Sequence, residues 1–297
     1  MKIDHLNPDH EDAAARFEID DNFRVLRAVP KPFSTMPQNG APPDGKCVTI
    51  VDLETSGLDP ERDAIIELAL MMVFVDDDDN VMGHFGPLSW LEDPGVALEP
   101  EITMITGLAN HHLIGQSIPD DFVAGMLDRA DLLVAHNAPF EVSWLEGRFP
   151  AIAGKPWACS MRDIPWLHLG LDGRAQTSLL MQHGWFSSTH RAAADVWALF
   201  WLLNESRSGW LKGPMQTHLQ RLLTAADTST VMVEARGAPF SAKDRLRSRG
   251  YRWHPGPPKF WMKEIDELAL AKEQAWFQQE QLPLPRLRPI TASERHR

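Results

Sequence analysis

The chain has 297 residues, 43% of them hydrophobic, with 41 Asp and Glu against 29 Lys and Arg and a formal net charge of −12. That length suits one large domain, or a medium domain with a small module, and the net charge argues against a general nucleic-acid binder that works by bulk attraction. No apolar run approaches the ~18 residues of a membrane span, and no apolar segment marks the acidic N-terminus as a signal peptide. Cys47 and Cys159 are too few for a thiolate metal cluster, so a cytoplasmic protein with two reduced thiols is expected.

Residues 1–45 are rich in Pro, Asp and Asn and end in PQNGAPPDG, the composition of a mobile leader with one short anchored segment near FRVLRAV. Residues 47–52 read as a strand, and 64–75 and 81–90 as two more. The DDDDN between the last two is read as a solvated hairpin turn rather than a cation site. PEITMITGL carries helix-start signals and a Gly stop, and a helical stretch follows around 119–129. DLLVAH (131–136) is a short buried strand, 140–148 a helix, 156–160 a fifth strand, and 174–183, 190–205 and 213–226 are helical. Three antiparallel strands followed by strands alternating with helices predict an α/β domain over 46–226, a mixed sheet flanked by helices.

The texture changes after that. Residues 236–297 hold 13 Lys and Arg against 7 Asp and Glu, so a basic appendage follows an acidic body. TSTVMVEA is strand-like, PFSAKDRLRSRGY has Ser241 as an N-cap and Gly250 as a stop, and YRWHP and PKFWMKE read as two strands around a turn. A helix over 264–280 completes a small α+β module over 227–280, and 281–297 reads as a disordered tail.

VDLETSGLDP (51–60) places Asp52 and Glu54 at a spacing of two, on one face of the first strand. Like charges side by side need compensation, and no basic partner stands beside them in the sequence. AHNAPFE (135–141) ends the DLLVAH strand, Glu67 lies on the strand after the opening motif, and THRAAADVW (189–197) enters a helix. On a regular helix His190 and Asp195 stand roughly 140° apart. They share a site if His190 lies on the loop before the helix, which Thr189 would cap. The alanines between them permit close packing on a sheet.

DLET, HNAPFE and HRAAAD, in this order, resemble the three exonuclease motifs of DnaQ-like 3′–5′ exonucleases over residues 46–205, of the epsilon-subunit-like or exonuclease-X-like kind. The histidine five positions before the last aspartate resembles the DEDDh branch. TGL (106–108) and WACSMRD (157–163) resemble the connecting segments. The resemblance implies a ribonuclease-H-like fold and metal-dependent release of nucleoside 5′-monophosphates, from DNA in preference to RNA. It implies two divalent cations, Mg²⁺ or Mn²⁺, held by Asp52, Glu54, Asp195 and Glu141. Asp52 bridges them, and His190 serves as general base, suited by an ordinary pKa of ~6.5. Thr55, Ser56, Gly57 and Leu58 would shape the pocket for the terminal nucleotide, with His136, Asn137 and Phe140 beside it.

Glu141 departs from the pattern, because the family usually has Asp there. The extra methylene moves the carboxylate by ~1.5 Å, so activity with an altered metal preference is expected. An RNA 3′-end trimmer and a nucleic-acid-binding subunit with a weakened site stay open as alternatives. The appendage interleaves Arg247, Arg249 and Arg252 with aromatics, a pattern suited to phosphate contact and base stacking. Residues 229–265 resemble the small module of some exonuclease-X-like proteins, although the aromatics could equally form that module's core. QLPLP (281–285) partly resembles peptides that dock on sliding clamps, which makes a clamp or polymerase a candidate partner and a plain linker the simpler reading.

Overall fold

The computed structural model describes residues 7–36, 40–187, 190–208 and 214–297. The chain divides into two compact units, Met1–Thr224 with His296–Arg297, and Ala225–Arg295. Through the first unit run α1 (Pro8–Glu18), β1 (Arg27–Ala28), β2 (Lys46–Thr55), β3 (Ile65–Val75), β4 (Val81–Leu91), α2 (Pro100–Thr106), α3 (Asn110–Leu113), α4 (Asp120–Asp128) and β5 (Leu132–Ala135). After these come α5 (Ala138–Arg148), β6 (Trp157–Cys159), α6 (Ser160–Asp163), α7 (Gln176–Gln182), β7 (Trp185–Phe186), α8 (Ala192–Asn204), β8 (Ser206–Arg207), β9 (Gln216–Thr217) and α9 (His218–Asp227), within which the unit boundary falls.

Five strands make one mixed sheet in the order β4-β3-β2-β5-β6. β2, β3 and β4 form the antiparallel meander, while β5 and β6 run parallel to β2. This is the mixed sheet that the strand pattern predicts and the ribonuclease-H-like arrangement that the motif resemblance implies. Every residue of β3 is buried, Glu67 included, so both faces are covered. Alternation sorts β2 between those faces. Cys47, Val51 and Leu53 join a cluster with Val123 and Leu127 of α4 and Val142 and Leu145 of α5. Val48 and Ile50, and with them Asp52 and Glu54, turn to the opposite face, and α8 lies against β2, β3 and β4.

The leader is more ordered than its composition suggests. The Arg27 guanidinium pairs with Glu11 and Glu18 of α1, and β1 pairs with β7 at the expected FRVLRAV anchor. Trp197 donates to the Pro30 carbonyl at 2.6 Å, and the Phe33 ring meets His84 and Trp197. Aromatic burial thus outweighs the disorder-prone Pro and Asp content. DDDDN forms the expected turn, with Asp76 accepting from the backbone N–H groups of Asp78 and Asn80.

The second unit holds β10 (Thr230–Ala235), α10 (Lys243–Ser248), β11 (Arg252–His254), β12 (Phe260–Asp266), α11 (Leu270–Gln279) and β13 (Arg286–Ile290), with an antiparallel sheet β11-β12-β10-β13. Val233, Ala235 and Ile265 pack with Leu246, Tyr251, Phe277 and Leu282. Three expectations change here. Ser241 lies inside a 3-10 turn and does not cap α10. The helix begins at Leu270 because β12 runs on to Asp266. The tail is folded: β13 pairs with β10, whose backbone groups would otherwise form a bare edge, and Pro289 is tolerated because β13 is itself an edge strand. Of the two leucines in QLPLP, Leu282 is buried in this unit's core and Leu284 is exposed.

α7, α8 and α9 meet at a histidine pair. His183 follows α7, and its Nε2 lies 3.0 Å from that of His218, the first residue of α9. The Trp166 ring covers His218, and Glu205, Arg207 and Arg221 are the charged neighbours. Burial pushes His183 down to about 4 and His218 to about 3. Neutral imidazoles contribute fully above the unfolded value of ~6.5, and that contribution is lost as pH falls toward 4. Replacing both histidines with Gln should therefore shrink the fall in melting temperature between pH ~7 and ~5 by about 5 °C relative to the native chain. An unchanged fall in scanning calorimetry would remove this role.

Candidate active site and metal centre

Topology fixes where a site can form. The sheet order reverses at β2, with antiparallel neighbours on one side and parallel β5 on the other. The carboxyl ends of β2 and β5 therefore open onto one edge, the place where open α/β sheets bind ligands. Asp52 and Glu54 lie at the end of β2, Glu141 in the first turn of α5 just after β5, and Asp195 in the first turn of α8.

One oxygen from each of Asp52, Glu54 and Asp195 lies within 4.8 Å of the other two. The electrostatics reflect the crowding. Burial, then Glu141, Asp195, Glu54 and Glu67, holds Asp52 well above the usual carboxylate range. Burial, then Asp195 and Glu67, pushes Glu54 up to about 7, against the pull of Arg191. Burial raises Asp195, although the His190 N–H, 3.0 Å from its Oδ2, works the other way. Glu141 stands outside the three-carboxylate group but close enough to raise Asp52. It is 4% exposed, its Oε2 has no hydrogen-bond partner, and burial pushes it up to about 8.

A basic residue is present after all, but it serves a neighbour. Glu67 lies directly opposite Glu54 across β2 and β3. Its fully buried carboxylate accepts from Arg191 Nε at 2.8 Å and Nη2 at 3.0 Å, and from the Ala192 N–H at 3.3 Å. Asp52, Glu54, Asp195 and Glu141 are left with excess negative charge, oxygen donors only, and one orphaned buried oxygen. That donor set fits hard divalent cations such as Mg²⁺ or Mn²⁺.

His190 is exposed, sits immediately before α8, and has φ of +71°, a left-handed conformation uncommon for a side-chain-bearing residue. Thr189, the expected cap, lies outside the described residues, and the N-cap position falls to Arg191 without a side-chain cap. The loop after β2 is closed on itself. Thr55 donates to the Gly57 carbonyl, Ser56 Oγ accepts from the Ala64 N–H, and a Cβ at Gly57 would overlap the Asp63 carboxylate. Leu58 stands 85% exposed beside it. His136 is occupied within the protein: Nδ1 is 2.8 Å from Ser160 Oγ, and Nε2 is 2.8 Å from the Arg174 carbonyl. Asn137 begins α5 without a side-chain cap, and half-buried Phe140 leans on Trp144.

The three arginines of the second unit part company. Arg249 forms a fork with Glu273 and covers the Trp276 ring, so its charge is engaged. Arg247 and Arg252 are exposed and have no ion pair among the described residues. The sequence motifs do not mark Arg191 as the partner of Glu67.

A family model described as RNase_T, an exonuclease, matches residues 49–200. Among solved structures, the chain is similar to Exonuclease X in complex with 5′ overhanging duplex DNA, at 22% identity and a TM-score of 0.37, over 51% of this chain and 86% of that one. It is also similar to E. coli Exonuclease I in complex with a dA16 oligonucleotide, at 16% identity and a TM-score of 0.46, over 84% of this chain and 64% of that one.

Proposed function

The chain belongs to the RNase_T exonuclease family, the DnaQ-like 3′–5′ exonucleases, and on that premise we propose a DEDDh-type enzyme that releases nucleoside 5′-monophosphates from the 3′ ends of DNA. The observation that carries this reading is the convergence of Asp52, Glu54 and Asp195 within 4.8 Å of one another, from strand and helix ends far apart in sequence.

Hydrolysis at phosphorus forms a bond from water oxygen and breaks the bond to the 3′-oxygen, which leaves and takes up a proton. Bound divalent cations would offset the phosphate charge and acidify the attacking water. Asp52, Glu54, Asp195 and Glu141 are the residues that would hold them. His190, exposed and at the entry to α8, receives the proton of the attacking water. Leu58 and Phe140 offer apolar surface to the terminal base, while the closed 55–63 loop gives that surface a fixed shape.

The test uses DNA and RNA oligonucleotides labelled at the 5′ end, with Mg²⁺, Mn²⁺ or chelator. The expected result is stepwise shortening of DNA, mononucleotide 5′-phosphates by mass, and no reaction in chelator. Internal cuts, or binding without shortening in either metal, would overturn the reading. Faster loss of RNA would reassign the substrate.

The second unit supports substrate capture in this proposal. Arg247 and Arg252 are exposed cations, and Trp253 is 49% exposed on β11 beside Trp261. Replacing both arginines with Glu in the full chain should weaken DNA binding by about 10-fold at ~50 mM salt and lower the salt slope by about 1 to 2. Hydrolysis of a nitrophenyl ester of thymidine 5′-monophosphate should stay unchanged. Equal affinity at low salt removes the capture role.

A further inference from the structure

The ion pair between fully buried Glu67 of β3 and half-exposed Arg191 at the N-cap of α8 stands where His190 and Asp195, the groups before and within that helix, originate. Glu67 and Glu54 face each other directly across antiparallel strands, an arrangement that is unfavourable for like charges. Glu67 is nevertheless fully buried, and the Arg191 fork compensates it through two charge-assisted bonds. The same carboxylate also accepts from the Ala192 N–H. Ala192 is the first residue of α8, a helix whose own N-cap supplies no side-chain bond. Glu67 is therefore a cap delivered from another strand, which satisfies one of the orphan donors of that helix end.

What the cap holds is specific. His190 precedes Arg191 directly, and its left-handed backbone persists only where the surroundings over-determine it. Two ties do so. On one side the His190 N–H donates to Asp195 Oδ2, and on the other the Arg191 side chain is clamped to β3. The Arg191 carbonyl in turn accepts from the N–H groups of Ala194 and Asp195. His190 and Asp195 thus lie on either side of one pinned residue.

We propose that the Glu67–Arg191 pair is a positioning device that sets His190 and Asp195 against the β2 carboxylates. It is not merely a support for the fold. The proposal rests on the reading of His190 and Asp195 given above. Misplacing a reacting group by about 1 Å costs on the order of 100-fold in rate, and binding of the nucleic acid lies largely elsewhere. Arg191→Gln should therefore lower kcat by about 50-fold with KM within about 3-fold of native. Arg191→Lys keeps the charge but cannot bridge both oxygens, and should show the same split at a smaller size of about 10-fold.

The double variant Glu67→Gln/Arg191→Gln separates positioning from support, because it leaves no buried charge uncompensated. Its melting temperature should return to within a few degrees of native while kcat stays low. A double variant with native melting and kcat within about 3-fold of native would overturn the proposal, as would an Arg191→Lys enzyme with native kcat. His190→Gln, assayed alongside, keeps the two readings apart. Turnover lost in His190→Gln but kept in the Arg191 variants would overturn the pair and leave the site standing. Turnover kept in both would overturn the site reading and the pair with it.

Discussion

Asp52→Asn is expected to lower turnover by about 10³-fold or more while making the metal-free protein more stable. The two effects have one cause. Asp52 is the carboxylate that Glu141, Asp195, Glu54 and Glu67 all act upon, after burial has already raised it. In the proposed mechanism it would be one of the carboxylates that hold the cations, so its loss should remove about 4 kcal/mol or more of transition-state stabilisation. Without metal its charge opposes folding. A carboxyl whose folded pKa is raised destabilises the native state at every pH above its unfolded value of ~3.9, most of all above its folded value. The Asn variant escapes that penalty. In chelator near pH ~7.5 its melting temperature should rise by about 3 to 6 °C, the yield of about 1 to 2 kcal/mol in a domain of this size. Kinetics in Mg²⁺ and calorimetry in chelator read the two halves separately. Turnover within about 10-fold of native would sink the ligand role, and a lower melting temperature in chelator would show that Asp52 is held by something other than a cation.

The same residues show what could be read from the chain before its fold was known. The alternation of 47–54 gave the shared face of Asp52 and Glu54, because strand periodicity is local and the apolar partners are unambiguous. The spacing in HRAAAD placed His190 before a helix and Asp195 within it, since helix entry is also local. The role of Arg191 was not legible. Its partner lies 124 positions upstream, and nothing in one sequence says that Glu67, in an otherwise apolar strand, is buried and must be paired. His136 looked like a ligand-facing residue for a similar reason, because its two partners, Ser160 and Arg174, come from distant segments. The leader and tail failed differently. Their Pro-rich, polar composition reads as disorder, whereas Trp197 and the bare side of β10 supply long-range partners that hold them.

Glu141 gives the second large effect, and it bears on whether the native chain is an enzyme. The residue occupies the first turn of α5, where the helix dipole favours an anion, yet its Oε2 finds no donor. A buried carboxyl pushed up to about 8, with one oxygen left unpartnered, is unfavourable unless a cation uses it. Glu141→Ala should therefore lower kcat/KM by about 100-fold, equivalent to about 2.7 kcal/mol. Glu141→Asp draws the oxygens back by ~1.5 Å. Mg²⁺ demands near-ideal octahedral geometry and gives up its water reluctantly, so the ratio of Mn²⁺- to Mg²⁺-supported turnover should change by about 10-fold between the native and Asp forms. Activity in the better metal should stay within about 10-fold of native, because a ligand that reaches through water tolerates the shift. Metal titrations of the native, Ala and Asp forms on one DNA substrate decide the matter. An inactive native chain beside an active Asp variant would mean that the longer side chain blocks the second cation, and that the native protein binds 3′ ends without cutting them.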